Sequence, residues 1–157
     1  MGKNAKEEGK VAFHYVARGL IRDGDYILLV RAIGDTMTFL PGGHIEFGES
    51  APVALARELS EEASIEANVG AFIGAAENEW FLDGQLQAEI NLIFDVETDL
   101  SHQETVVANE PHLEFFWVPC AEIEQWNLFP DSLRQLISHN QTPKQAFWGS
   151  GITLQSG

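Results

Sequence analysis

Residues 43–65 read GHIEFGESAPVALARELSEEASI, and four of their five glutamates and one arginine stand at fixed distances around the start and along the length of one helix. Glu58, Glu61 and Glu62 stand at i, i+3 and i+4, so their carboxylates share one helical face. Three carboxylates this close repel one another unless a cation neutralises them. A hard divalent cation takes oxygen ligands, and Mg²⁺ in enzyme sites commonly holds substrate phosphates. The stretch therefore predicts a magnesium-binding helix.

The same spacing resembles the 23-residue box of the Nudix (MutT-like) hydrolases, which reads Gly, five residues, Glu, seven residues, then Arg-Glu-apolar-x-Glu-Glu-x-Gly-apolar. Ser64 stands where the family has glycine, which is favoured at a helix end because it adopts left-handed backbone angles. Flanking segments at 40–42 and 116–119 extend the resemblance over most of residues 11–138. The positions that match the box are Gly43, Glu49, Arg57, Glu58, Leu59, Glu61, Glu62 and Ile65.

The resemblance implies a role for each matched residue and a reaction. Arg57 and Glu49 correspond to a pair that orients the site, and Glu46 is a candidate third member. The implied cofactor is Mg²⁺ or Mn²⁺, and the implied reaction is hydrolysis of a pyrophosphate bond in a nucleoside diphosphate linked to another moiety. On the residues alone, Glu58 with its neighbours could instead be an exposed helix face paired with Arg57, and the box register favours metal. The implied metal ligands are Glu58, Glu61, Glu62 and the backbone carbonyl of Gly42.

The general base stays open between two positions. A box glutamate, here Glu61, activates the water in some relatives, and a glutamate of a late loop does so in others. Glu110 resembles that loop glutamate, with Glu114 and Glu104 as rivals. His44 lies beside the box at a variable family position, so we do not expect it to be a ligand. The other histidines have no motif spacing and are expected to be structural or exposed: His14, His102, His112 and His139.

Three aromatic residues are candidates for stacking on a nucleobase, with core packing as the alternative for each: Phe39, Trp80 and Phe81. Trp117 lies in an apolar strand and is expected in the core. The sequence leaves the substrate open among sugar nucleotides, ADP-ribose, dinucleoside polyphosphates and damaged nucleoside triphosphates. A second function class is a catalytically inactive Nudix domain that binds a nucleotide as a sensor, and the retained box glutamates argue against it.

Periodicity and turn signals predict an α+β fold. The resemblance sharpens this prediction to the Nudix architecture, a mixed β-sheet packed between helices in an α/β/α sandwich. The box helix should begin after the N-cap Ser50, and residues 97–112 should form a long loop. A last helix should open at Pro130-Asp131-Ser132 and run to Ile137. The predicted strands are 11–15, 26–30, 69–75, 80–81, 90–96 and 113–118.

The bulk properties fit one domain over residues 1–157, with 1–9 flexible and 140–157 a tail. In that tail, Phe147 and Trp148 could pack on the core or on a second copy of the chain, so a homodimer stays an alternative. A net charge of −15 argues against nucleic-acid and membrane partners and leaves a small-molecule nucleotide as the expected one. A single cysteine and the lack of a signal-like or membrane-length apolar stretch predict a cytosolic protein.

Overall fold

A computed structural model describes residues 12–138 and 143–152, which form one seven-stranded sheet and three helices. The helices are α1 (Ala51–Ala63), a 3₁₀ helix (Cys120–Gln125) and α2 (Leu133–Ser138). The strands are β1 (Ala12–Asp23), β2 (Tyr26–Ala32), β3 (Gly42–His44), β4 (Asn68–Leu82), β5 (Gln85–Glu97), β6 (Leu113–Pro119) and β7 (Phe147–Ser150). The expectations for residues 1–9, His139 and the ends of the tail lie outside the described residues.

The sheet is mixed, with the strand order β6-β2-β1-β5-β4-β7 and β3 paired to β1. β1 lies parallel to β5, and β4 lies parallel to β7, while the other pairs are antiparallel. Because β1 pairs with both β3 and β5, the start of the box and the middle of β5 lie on either side of one strand. This arrangement brings distant parts of the sequence to one site.

Strand alternation divides the core into two layers. Leu28 joins the cluster that contains Leu55 and Leu59 of α1, whereas Leu29 joins the cluster of the 3₁₀ helix and α2. Removing a buried leucine such as Leu55 typically costs about 2–5 kcal/mol, so each layer contributes substantially to stability. The sheet thus packs between helices, which confirms the predicted sandwich.

The box helix begins and ends as the sequence predicts. Ser50 caps it by accepting a hydrogen bond from the Val53 backbone N–H at 3.4 Å. Ser64 ends it with φ 52° and ψ 33°, and its N–H donates to the Ser60 carbonyl. The left-handed angles cost a non-glycine residue about 1–2 kcal/mol. The helix therefore terminates normally despite the serine in the glycine position.

One local expectation needs correction, and the structure adds detail to two others. The segments predicted at 69–75 and 80–81 are one continuous strand, β4, because the bulge near Gly74 lets the pairing continue. Phe147 and Trp148 lie in β7, which pairs with β4 as an edge strand, and Phe147 packs on the core, the first of its two alternatives. Phe13 and Tyr15 do lie on a strand, but they are 65% and 43% exposed, so the buried residues of β1 stand farther along it.

No helix in the described part of the chain is long and apolar enough to cross a membrane.

Candidate active site

Arg57 is the centre of the hydrogen-bond network in the box. Its Nε and Nη2 donate to both carboxylate oxygens of Glu49, at 2.7 and 2.9 Å. Its Nη2 also reaches the His44 carbonyl at 3.1 Å, and Glu46 lies 4.0 Å away. The pairing of Arg57 with Glu49 is therefore present, and it fastens the loop before α1 to the helix. This two-pronged contact holds the pKa of Glu49 at about 2.

The three clustered glutamates differ in their surroundings. Arg57 Nη1 donates to Glu58 at 3.1 Å and to Glu61 at 3.2 Å, and Glu61 is largely exposed. Glu62 faces a cleft of about 180 Å³ that Arg18 and Gly42 also line. Burial, followed by the charge of Glu58, raises the pKa of Glu62 to about 7. Burial and the neighbouring carboxylate thus disfavour the ionised form of Glu62.

The oxygen ligands of the box, three carboxylates and the Gly42 carbonyl, are of the type that a hard divalent cation binds, although the side chains do not converge on one point. Within residues 12–138 and 143–152, no three carboxylate, imidazole or thiol groups stand close enough to hold a metal ion. Arg57 Nη1 contacts both Glu58 and Glu61, while Glu62 lies within hydrogen-bond reach of Glu58. Carboxylate and carbonyl oxygens are the ligands Mg²⁺ prefers, and a cation would offset the charge that raises the pKa of Glu62.

Two glycines bring β3 close to both α1 and β1. Gly42 has φ 145°, and a Cβ there would lie 2.0 Å from the Ala17 carbonyl oxygen. A Cβ on Gly43 would lie 2.6 Å from Oε2 of Glu58. At Gly42 only glycine permits this approach, because the clash would be with backbone atoms, whereas a side chain at Gly43 would displace the flexible end of Glu58.

Arg18 is a site residue that sequence reasoning missed. Its Nη1 donates to the carbonyls of Leu40 and Gly42 at 3.1 and 3.3 Å. Burial lowers the Arg18 pKa, and the charges of Glu89, Glu62 and Glu58 oppose that change. A signal was present in the sequence, since an arginine between Val16 and Leu20 on one strand face is a charge in a core position.

The three glutamates outside the box that are candidates for the general base lie in different surroundings. The backbone N–H of Asn109 donates to the Glu62 carbonyl at 2.6 Å, which fixes the loop beside the box helix. Glu110 follows directly, is exposed, and its charge raises the pKa of Glu62. Glu114 instead forms an ion pair with Arg31, and Glu104 is exposed in the part of the loop near Ser101. Glu110 is therefore the loop glutamate that acts on the carboxylate cluster.

A cavity of about 410 Å³ lies next to the box, within the size range of about 300–1,000 Å³ typical of ligand pockets. Phe39 and Trp80 line it, as two of the three stacking candidates. Phe81 is 73% exposed and outside the lining, because successive strand residues face opposite sides of the sheet. The full lining is His14, Val16, Arg18, Met37, Phe39, His44, Trp80, Glu89 and Phe129.

His14 also lines this cavity, a position that its sequence context did not indicate. Its ring stacks on Trp80 at 5.6 Å, and its Nε2 bonds Gln87 Oε1 at 2.8 Å. With that proton on Nε2, His14 Nδ1 accepts from His44 Nε2 at 2.9 Å. Burial, then the charges of His14 and Arg18, lowers the pKa of His44. The two histidines therefore form a hydrogen-bonded wall between the box and the cavity.

Two other residues named in the sequence analysis, His102 and Trp117, lie outside the site. His102 donates from Nδ1 to Asp23 at 2.6 Å and stacks on Tyr26, so it anchors the 97–112 loop to the β1–β2 hairpin. Trp117 packs against the α1 layer of the core, as expected. A third cavity of about 680 Å³ is lined by polar residues around Arg22 and Asp95, and no predicted site residue belongs to it.

Comparisons with known proteins give the family and the fold of the chain. The family model of the NUDIX domain matches residues 12–138. The chain is similar in structure to the E. coli ORF135 protein, at 26% identity and a TM-score of 0.56 over 81% of this chain and 87% of that one. It is also similar to a MutT protein from Methanosarcina mazei Go1, at 24% identity and a TM-score of 0.65 over 83% and 94% of the two chains.

A further likeness is to the E. coli dihydroneopterin triphosphate pyrophosphohydrolase, at 21% identity and a TM-score of 0.58 over 83% and 97% of the chains. The last two likenesses are below 25% identity and bear on the fold alone. The family match covers most of the chain and includes the whole box. The chain therefore belongs to the Nudix family.

Proposed function

We propose that this chain hydrolyses, with Mg²⁺ or Mn²⁺, the pyrophosphate bond of a nucleoside diphosphate linked to another moiety. The observation that carries the proposal is the position of the box carboxylates beside an aromatic cavity of nucleobase size. Arg18 lines both the cavity and the small cleft that holds Glu62. A nucleotide whose base occupies the cavity would therefore extend its phosphates past Arg18 toward the box carboxylates.

Glu58 and Glu62 would be the main metal ligands, with Glu61 and the Gly42 carbonyl as further oxygens. Bound there, a divalent cation supplies charge neutralisation for the phosphates. The Gly42 carbonyl already accepts from Arg18, and its second lone pair leaves it able to contribute. Arg57, held by Glu49, orients Glu58 and Glu61 through its Nη1.

In the reaction, the oxygen of a water attacks one phosphorus and the bridging P–O bond on the far side breaks. The base takes one proton from that water, and the departing phosphate keeps the bond electrons. Glu110 stands on a loop hydrogen-bonded to the end of the box helix, and Glu61 stands on the helix itself. We propose Glu110 as the first candidate for the base and Glu61 as its rival.

The acidic balance and the aromatic cavity together favour a small-molecule nucleotide as the partner rather than nucleic acid or membrane. A net charge of −15 repels polyanions, whereas a local cation can still attract a single nucleotide. With its single cysteine, the chain also suits a cytosolic enzyme.

A substrate screen tests the proposal. Sugar nucleotides, ADP-ribose, dinucleoside polyphosphates and nucleoside triphosphates would be incubated with Mg²⁺ or Mn²⁺, and phosphate, pyrophosphate and nucleotide products measured. Glu62→Gln is the inactive comparison, and Glu66→Gln, an exposed glutamate beyond the box, is the matched control. We expect activity in wild type and Glu66→Gln only. Tight nucleotide binding without hydrolysis of any compound would favour the sensor alternative.

A further inference from the structure

The central strand β5 carries a row of buried polar side chains on one face. Gln87, Glu89 and Asn91 are 6%, 8% and 1% exposed, and they stand two residues apart, so they point to the same side of the sheet. Gln87 bonds His14, and Asn91 bonds both Arg18 and the Ala76 carbonyl. The neighbours of Glu89 in the row thus have protein partners.

Glu89 differs because its carboxylate lines the cavity without a hydrogen bond from any described residue. Arg18 lies in the same wall and attracts it electrostatically, but the two do not form an ion pair within 4 Å. The carboxylate oxygens of Glu89 are not among the fully enclosed side-chain atoms that lack a partner, so they are open to the cavity, and polar groups at such positions generally meet a partner there. The cavity itself is the side from which a donor can approach.

The cavity walls are suited to a flat ring. Phe129 packs edge-on against both Phe39 and Trp80, with centroids 6.0 and 6.1 Å apart. His14 extends the Trp80 surface by stacking on it. Aromatic faces of this kind stack on any base and do not distinguish one from another. Discrimination must therefore come from the polar groups of the wall, and of these His14, His44 and Arg18 already have protein partners, which leaves Glu89.

We propose that Glu89 determines base specificity by accepting two hydrogen bonds from a base that carries an amino group beside a ring N–H, the edge of guanine. This assignment rests on the proposed nucleotide-hydrolase function. A carboxylate only accepts, so it pairs with two adjacent donors and repels an edge that presents a lone pair. Adenine and cytosine place a ring acceptor beside the amino group, and uracil flanks its N–H with two carbonyls. Only the guanine edge satisfies both carboxylate oxygens.

Binding of nucleoside monophosphates tests this directly, because they lack the pyrophosphate bond and cannot be consumed. Dissociation constants for GMP, IMP and AMP would be measured by calorimetry with Mg²⁺ present. IMP differs from GMP only by the missing 2-amino group. We expect IMP to bind about tenfold or more weakly than GMP, since one charge-assisted hydrogen bond is lost, and AMP to bind more weakly still.

The variant Glu89→Gln keeps the size of the side chain and replaces one acceptor with a donor. It should lose most of the preference for GMP over IMP and gain affinity for AMP, whose edge offers one donor and one acceptor. Glu79→Gln is the matched control, since Glu79 lies on neighbouring β4 outside the cavity lining. It should keep the wild-type order. The wild-type comparison of GMP with IMP needs no variant and stands even if Glu89→Gln misfolds.

Equal affinity for GMP, IMP and AMP, or no binding of any of them, would overturn the assignment of Glu89. A Glu89→Gln protein that folds and keeps the wild-type preference would overturn it as well. If the wild-type enzyme hydrolyses nucleotides without regard to the base, Glu89 loses its role and the proposed function stands. If guanine preference in binding is seen and no compound in the screen is hydrolysed, the proposed catalysis fails instead.

Discussion

The box and the aromatic cavity lie side by side, but their residues come together in different ways. The box carboxylates stand on one helix, so their spacing in the sequence sets their spacing in space. The cavity takes residues from four strands and two connecting segments, and Glu89 meets His14 only because β5 pairs with β1 in a particular register. A site on one helix is visible in the sequence, whereas a site across a sheet depends on strand pairing.

This difference separates chemistry from selectivity. The box carries the groups that a pyrophosphate bond requires, and the cavity carries the surface that chooses what is attached to it. Arg18 borders both regions, since it contacts the Gly42 carbonyl and lies in the cavity wall. Substitutions in the box should therefore reduce turnover for every substrate, and substitutions in the cavity should change which substrate is preferred.

The largest effect is expected from Glu62→Gln. A neutral amide is a poor ligand for a hard cation, so kcat should fall by about a thousandfold or more on any substrate. The variant should remain folded, because the amide no longer repels Glu58. Steady-state kinetics with a melting curve would check both statements. Near-wild-type turnover at ordinary Mg²⁺ would remove Glu62 from the metal site.

The identity of the base gives the next largest effect. If Glu110 activates the water, Glu110→Gln should lower kcat by about a hundredfold or more and leave the substrate Kd unchanged. If a box glutamate does so, that loss should fall on Glu61→Gln instead. Both variants would be measured in parallel by kinetics and equilibrium binding. Two variants that both retain the wild-type kcat would exclude both residues.

Glu49 should matter less for turnover and more for acid stability. Glu49→Gln weakens the hold on Arg57, and removing such an orienting partner typically costs about 10–100-fold in activity. The folded pKa of about 2 lies below the ordinary 4.5, so this carboxylate stabilises the fold above pH 4.5 and ceases to do so as pH falls toward 2.

Wild type should therefore lose stability over that pH window, and Glu49→Gln should lose less over the same window. Unfolding by urea at pH 6, 4 and 3 would compare the slopes of the two proteins. Identical slopes would show that the Arg57 contact does not stabilise the charged form of Glu49.

The smallest effect is expected at Ser64, the departure from the family box. Its Oγ accepts from Asn109 Nδ2 at 2.9 Å, beside Glu110, while its φ of 52° is unfavourable for a side chain. Ser64→Gly loses the hydrogen bond and relieves the backbone, so the free energy of unfolding should change little. Ser64→Ala loses the bond and keeps the strain, so it should be less stable than Ser64→Gly by about 1 kcal/mol. Chemical denaturation of the two variants would decide, and equal stabilities would contradict this reading.

Local chemistry made much of the fold predictable. Ser50 and Ser64 marked the ends of α1, and two Asp-Gly pairs, which favour tight turns, stand at the β1–β2 and β4–β5 hairpins as Asp23-Gly24 and Asp83-Gly84. β3 and β7 were missed because three- and four-residue strands carry no readable period, and only pairing with β1 and β4 defines them. The sandwich followed from the family resemblance.

The residues of the candidate site were also predictable only in part. The pairing of Arg57 with Glu49 was anticipated from the box. The two residues are eight positions apart, with Glu49 just before the helix and Arg57 within it. Arg18, His14 and Glu89 were not anticipated, because their significance comes from neighbours 24 to 75 residues away along the chain. Single polar residues within strands do not reveal which face they occupy until the register is known.

Metal-dependent melting tests the central claim, that the box helix is a divalent-cation site, most directly. Metal-free protein would be heated with and without millimolar Mg²⁺ or Mn²⁺, alongside the double variant Glu58→Gln/Glu62→Gln and the Glu66→Gln control. Binding to the native state alone should raise the melting temperature of wild type and of the control, and the double variant should not respond. Equal melting temperatures for wild type with and without the ions would contradict the claim and leave the three glutamates as a solvated helix face.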